Sequence, residues 1–313
     1  MRLEVSGKTP FHVPASSASR DTVAILVCTF AWGTTWYAIT LQFGVVDPVV
    51  SVAWRFAFAS ALLFGWCLWR GEPLRLDRRQ QAAARGVGVF VIAIDYALTY
   101  WAEERVVSGV VAVLFAALAF FNLIAFRVAF GQRAPRAAWL AASLGILGVG
   151  LLSWSEIASA RLDSRAVAGI ALTFGAVACA AVGNVFAKRG EEAGAPLAAM
   201  MAWAMAYGSV LLVVFALVTG RALDFELSPR YVLSLLYLAC IGSVVAFLLY
   251  YGLARRRGYT VSSYILALTP IIAMAMSSLF ERKTWGLAGL AGAALVLSGQ
   301  WLLLRVQSPA AST

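Results

Sequence analysis

Residues 107–126 read VSGVVAVLFAALAFFNLIAF, twenty positions without a charged side chain. A bilayer core of about 30 Å is crossed by about 20 apolar helical residues, so this run has the length and composition of a membrane span. Working outward, comparable runs fall at 22–41, 49–69, 86–102, 138–154, 168–187, 198–218, 231–253, 260–280 and 286–304. The segments between them are short and punctuated by Asp47-Pro48, Gly71-Glu72-Pro73, Pro135, Pro196 and Pro229, residues that start or stop helices. Of the 313 residues, 62% are hydrophobic and only 13% charged, which suits lipid-facing helices and leaves no stretch for a separate extramembrane domain. The expected fold is an all-α integral membrane protein with ten transmembrane helices, multi-pass in the lipid bilayer.

The net charge of +10 is an orientation signal rather than a nucleic-acid footprint, because the basic residues sit in short loops. With a cytoplasmic N-terminus, seventeen Lys and Arg fall on inner segments and seven on outer ones, with Arg55 alone inside a span. Both termini are therefore expected in the cytoplasm. The preference for Arg over Lys and the abundance of Ala point to a bacterial inner membrane. Residues 1–21 form a polar tail without a cleavage site ahead of a retained first helix. Within that tail, Ser6-Gly7-Lys8-Thr9 resembles the end of a Walker A loop, but position 2 is Arg where that motif needs Gly.

Cys28, Cys67, Cys179 and Cys240 are isolated in apolar runs and read as packing residues. The one histidine, His12, lies in the tail, and neither H-E-x-x-H nor G-x-S-x-G occurs. No enzyme, metal or cofactor is expected.

The two halves match at a shift of about 150 residues: Phe130-Gly131-Gln132-Arg133 falls on Phe280-Glu281-Arg282-Lys283, and Arg105 on Arg255. With a two-residue slip Pro48 falls on Pro196. The organisation expected is a tail at 1–21, a five-helix repeat at 22–154, an outer linker at 155–167, a second repeat at 168–304 and a tail at 305–313. Five is odd, so the second copy crosses in the opposite sense. Inverted repeats are the architecture of alternating access, with the site near the midplane.

Specific motifs point the same way. Ala31-Trp32-Gly33-Thr34-Thr35-Trp36-Tyr37-Ala38-Ile39, then Trp54-Arg55-Phe56, then Leu268-Thr269-Pro270-Ile271, Leu279-Phe280-Glu281-Arg282 and the stretch from Gly286 to Gly299 resemble the EamA family of the drug/metabolite transporter superfamily, and most closely its bacterial aromatic amino acid exporters. The resemblance implies a central cavity lined mainly by helices 1, 3, 4, 6, 8 and 9, with helices 5 and 10 peripheral. Phe120-Phe121-Asn122 departs from it, because the family often has a proline there to match Pro270.

Trp32, Thr35 and Trp36 share one stripe of the first helix, and Trp32 lies about 15 Å into the span, below the reach of interfacial aromatic belts. They read as cavity lining or as helix packing. Trp66, Trp69, Trp139, Trp154, Trp285 and Trp301 lie near span ends and read as belt residues. Ile92, Tyr96, Thr99, Tyr100 and Glu103 share a stripe of the third helix, an aromatic wall suited to a planar apolar solute. Ser243, Phe247, Tyr250 and Tyr251 repeat it in the eighth.

The repeat shift places Tyr100 on Tyr250 and Trp101 on Tyr251, at opposite mouths of one cavity, either as a pair of gates or as interfacial belts. Arg55 and Asp95 are the deepest ionisable groups, at about 9 and 12 Å, and are expensive enough in a bilayer to be functional candidates. They read as an ion pair, or as a carboxylate-binding cation and a proton-binding acid. Asn122, Asn184 and Tyr264 could hydrogen-bond a solute or a neighbouring helix. Pro270 marks a kink. Gly145, Gly148, Gly286, Gly289 and Gly292 read as close-contact positions of helices 5 and 10.

The function expected is export of amino acids, aromatic or otherwise apolar, by alternating access through the central cavity of a monomer. A carrier for another small metabolite or drug-like solute is the alternative, and a membrane receptor or scaffold a more remote one.

Overall fold

In the computed structural model, which describes residues 15–159, 164–257 and 259–307, helix ends fall on the polar punctuation. The helices are α1 Ala15–Thr40, α2 Pro48–Arg70, α3 Arg78–Glu103, α4 Ser108–Phe130, α5 Arg136–Ser159, α6 Ser164–Glu192, α7 Leu197–Val218, α8 Pro229–Arg257, α9 Tyr259–Phe280 and α10 Leu287–Gln307. Asp47 caps α2 by accepting the Val49 N–H at 2.9 Å, with Pro48 in the first turn, where no N–H is missed. Asp77 and Gln80 form a reciprocal capping box on α3. At the far end of α2, Gly71 takes the left-handed conformation (φ 68°) and closes the last turn onto the Cys67 and Leu68 carbonyls.

The described residues are all helical or loop, and among them seven helices (α1, α2, α3, α4, α6, α7 and α8) are long and apolar enough to cross a membrane. Shorter apolar stretches lie in α5, α9 and α10, at Arg136–Gly148, Leu268–Phe280 and Leu287–Gly299. Trp69, Val128, Val218 and Leu287 stand exposed on the outside, an apolar exterior that only lipid would cover.

Several helices outrun the apolar runs that announced them. The third begins at Arg78 rather than near residue 86, and the sixth continues through Lys188 and Arg189 to Glu192. Hydropathy reads only the part that lipid touches, whereas caps and backbone bonding carry a helix on into its polar flank. For the same reason most of the expected linker 155–167 is helix, because α5 runs to Ser159 and α6 starts at Ser164. Residues 1–14, with His12 and the Ser6–Thr9 stretch, and the end of the C-terminal tail lie outside the described residues.

Two helices change pitch midway. In α3 the backbone is π-helical over Gly88–Asp95, and in α8 over Cys240–Val245. Such widened turns leave carbonyls that the regular ladder no longer uses, and they recur at functional sites.

Helix pairs run antiparallel through small residues. On α2, Ser60 Oγ donates to the Ala202 carbonyl at 2.9 Å; seven residues earlier the Ala53 carbonyl accepts from Ser209, seven residues later on α7, also at 2.9 Å. In α5 and α10, a Cβ on Gly148 would lie 2.5 Å from the Gly292 carbonyl oxygen, and one on Gly299 2.6 Å from that of Ala141. Gly145 is a close-contact position through its backbone, since a Cβ on Gly299 would lie 2.7 Å from its nitrogen, although a Cβ on Gly145 itself, like one on Gly286, would meet nothing within 4 Å. Helix α1 packs against α8 and α9, and α6 against α3 and α4.

Candidate functional site

Where α1, α2, α3, α4, α6, α8 and α9 meet there is a cavity of about 100 Å³, and among the described residues none of α5, α7 or α10 belongs to its wall. Trp32 of α1 donates its indole N–H to the Gly242 carbonyl at 3.2 Å, a carbonyl in the π-helical turn of α8. Its ring lies 5.8 Å from Phe247, edge to face, and 5.0 Å from Tyr250. Thr35 bonds back to the Trp32 carbonyl at 3.0 Å, a habit of helical threonines that spares a separate partner. Trp36 lies 4.9 Å from Phe115, where α4 tightens to a 3₁₀ turn over Phe115–Ala117.

Arg55 reaches the cavity from α2 and is 1% exposed. Its Nε donates to Ser243 Oγ at 3.0 Å, and Ser243 in turn donates to the Leu238 carbonyl at 2.9 Å, five residues back across the π turn. The guanidinium carbon sits 4.6 Å from the centroid of the Tyr96 ring and 5.2 Å from that of Phe56. Asp95, the last residue of the π segment in α3, lines the cavity and accepts from Thr99 Oγ1 at 3.3 Å. Among the described residues Arg55 and Asp95 make no ion pair within 4.0 Å, so the pairing read from their depths does not form. Arg55 faces aromatic rings and a hydroxyl instead.

Also in the wall, Asn184 of α6 donates to Asn122 Oδ1 at 3.1 Å and accepts from the Tyr251 hydroxyl at 3.0 Å. Tyr250 and Tyr251 lie side by side with ring centroids 5.1 Å apart.

Of the sequence-predicted residues, Trp32, Thr35, Trp36, Arg55, Asp95, Tyr96, Thr99, Asn184, Tyr250 and Tyr251 line this one cavity. Asn122 and Ser243 stand behind the wall, holding Asn184 and Arg55 in place. Tyr100 is also off the cavity: fully buried, it donates to Gln42 Oε1 at 2.8 Å and packs edge-on to Phe43. Trp101 turns the other way, toward Phe215 and under the Arg221 guanidinium. The two aromatic pairs that the repeat shift superposes thus occupy different surroundings. The Tyr264 side chain lies outside the described residues. Pro270 lies inside α9, next to the cavity residue Thr269, whose hydroxyl bonds the Ile265 carbonyl at 2.7 Å.

Sequence reasoning missed Val91, Phe115, Leu118 and Ala180 as lining, and they carry no polar flag by which a sequence would mark them. It also missed both π segments. Gly88 and Gly242 were the visible traces, each at a place where another helix leaves no room for a side chain.

A model of the EamA-like transporter family matches residues 22–154 and, a second time, residues 167–305. An uncharacterized inner membrane transporter, YedA of Escherichia coli K12, is 26% identical over 258 residues, covering 82% of this chain and 81% of its own. A probable amino-acid metabolite efflux pump of Salmonella typhimurium is 21% identical over 294 residues, 90% and 94% of the two chains. A solved crystal structure superposes with a TM-score of 0.66 over 91% of this chain and 96% of that one, at 16% identity, a likeness of fold alone.

Proposed function

Because the chain belongs to the EamA-like transporter family, within the drug/metabolite transporter superfamily, we propose that it exports amino acids with apolar side chains across a bacterial inner membrane by alternating access. The observation that carries this reading is the cavity itself. One cation, Arg55, and one carboxylate, Asp95, face it together with an aromatic wall, a set of groups complementary to a small zwitterion with an apolar side chain. The name of the Salmonella relative agrees with that solute class.

The layout we propose is ten spans in two inverted copies with both termini in the cytoplasm. The family model's match to each half supports it, and so does the helix packing. Helices α2 and α7 hold corresponding places in the two copies, run antiparallel and exchange the same serine-to-carbonyl bond in both directions. A dyad relating the copies would also carry the α1–α8 contact onto α6–α3 and α1–α9 onto α6–α4, and all four pairs are in contact.

A cavity of about 100 Å³ is smaller than the roughly 150 Å³ that holds a benzene ring. Valine has more non-hydrogen atoms than benzene, so even an aliphatic amino acid requires the walls to part, and an aromatic one requires them to part further. Purified protein in liposomes should take up labelled valine against a buffer control, and tryptophan more slowly. Absence of flux for every amino acid, or flux of a sugar instead, would refute the reading in favour of another solute or of a receptor.

Alternating access needs closures that break. At the end of the bundle assigned to the cytoplasm, Asp21 of α1 accepts from Arg256 Nη2 at 3.2 Å and Arg257 Nε at 2.6 Å, clasping α1 to the end of α8. Cys28, two turns further along α1, is wholly buried beneath that clasp. In a chain whose remaining cysteines are replaced by alanine, D21A should raise the rate of maleimide labelling at Cys28 several-fold. An unchanged rate would mean that the clasp does not govern access.

A further inference from the structure

Arg55 carries a charge that no carboxylate among the described residues pairs with within 4.0 Å. Arginine stays ionised in proteins and offers five N–H donors in a fixed fork. Here Nε is used on Ser243, the Tyr96 and Phe56 rings lie beside the guanidinium, and Nη1 is buried with no hydrogen-bond partner among the described residues. Among the described residues no carboxylate comes within 4.0 Å of it; Asp95 lines the same cavity but is bonded to Thr99, and Glu103 is buried further along α3. A buried, unpaired cation is costly in any low-dielectric site, and one that faces an open space is answered by whatever enters that space.

A second donor in the same wall is also unmet. Trp36 lines the cavity, and its indole N–H is buried with no acceptor among the described residues, whereas the neighbouring Trp32 has the Gly242 carbonyl. Gly242 keeps the place open, since a Cβ on it would stand 3.3 Å from Arg55 Nη2.

We propose that Arg55 Nη1 and Trp36 Nε1 are the receptor for a carboxylate on the transported solute, so that a free carboxylate is obligatory while the rest of the solute is chosen by the aromatic wall. The fork of a guanidinium matches the two oxygens of a carboxylate. A doubly charged phosphate fits less well, because its second charge would face the Asp95 carboxylate in the same small cavity. Asp95 then faces the ammonium end of an amino acid. This rests on the reading of the cavity as the solute site.

The test is a ligand series measured by tryptophan fluorescence on protein in lipid nanodiscs at pH 6, below the α-amino range of about 7.7–8.0. The probes are L-valine, L-valinamide, which keeps the amine and loses the anion, and 3-methylbutanoate, which keeps the anion alone. Valine should bind at least about tenfold more tightly than valinamide, as expected when a hydrogen bond to a charged group worth about 1.5–3 kcal/mol is lost. In Arg55→Gln the two should bind alike, and Arg55→Lys should restore part of the difference.

Equal binding of valine and its amide to the unaltered protein would overturn the proposal. So would discrimination retained in Arg55→Gln, or binding of neither valine nor 3-methylbutanoate at millimolar concentration. Should Arg55→Gln fail to fold, the series on the unaltered protein decides alone. Discrimination without any flux in liposomes would leave the carboxylate site standing and remove the transport reading.

Discussion

Replacing Gly242 by leucine is expected to reduce valine flux in liposomes at least tenfold while the protein still folds. Gly242 sits in the π-helical turn of α8, where three constraints converge. Its carbonyl accepts from Trp32, a Cβ on it would lie 2.5 Å from Thr35 Cγ2, and the same Cβ would approach the Arg55 guanidinium. The first atom of a side chain therefore pushes α1 off α8, and the remainder of leucine fills the space that Arg55 faces. Overpacking of this kind costs typically about 1–3 kcal/mol, which lowers the melting temperature of the detergent-solubilised protein without abolishing the fold. Flux is more sensitive than stability here, because the displaced groups are the cavity wall itself. Flux within twofold of the unaltered chain would mean that neither this turn nor the space beside Arg55 lies on the solute's path.

The residues around that turn show what sequence made legible and what it did not. The apolar runs and the charge of their connecting segments led to the helices because lipid imposes length and composition one residue at a time. Trp32, Trp36 and Tyr96 were readable because each is bulky, carries a polar atom, and lies deeper than an interfacial belt reaches. Arg55 was readable because charge in a span is rare. Its partners were not: Ser243 looked like a cavity hydroxyl, yet it sits behind Arg55 and bonds across a widened turn that no local pattern announces.

The faintness of the internal repeat has a physical cause in the same region. At the α1–α8 contact a glycine sits on α8, Gly242 against Thr35; at the α6–α3 contact glycines sit on both helices, Gly183 of α6, where a Cβ would lie 2.1 Å from Val91 Cγ2, and Gly86 of α3, where one would lie 2.2 Å from the Phe186 ring. Each point of close approach needs one small residue, and either helix can supply it. The related contacts therefore keep their geometry while the residues at matching positions diverge. Tyr100 and Tyr250 illustrate the consequence: aligned by the repeat, one is tied to Gln42 away from the cavity and the other lines it.

Gly299→Val is expected to give the largest loss of stability of any single exchange in α10. Without a hydrophobic driving force between helices in lipid, α5 and α10 hold together by close backbone approach and dispersion. A Cβ on Gly299 would stand 2.6 Å from the Ala141 carbonyl oxygen and 2.7 Å from the Gly145 nitrogen, all backbone atoms that cannot rotate aside. The helices must separate, and the loss extends along the interface to Gly148, which seats against the Gly292 carbonyl and the Val296 nitrogen. We expect a loss of about 3 kcal/mol, the upper end for overpacking, read as a melting point lowered by several degrees in detergent. The internal control is Gly145→Ala on the facing helix. Its Cβ meets nothing within 4 Å, so alanine there should be neutral or slightly stabilising, as expected when a helical glycine is replaced where space is open. Because no described residue of either helix lines the cavity, flux per folded molecule should be unchanged in Gly145→Ala. Equal melting temperatures for Gly299→Val and the unaltered chain would show that α5 and α10 are not held by this contact.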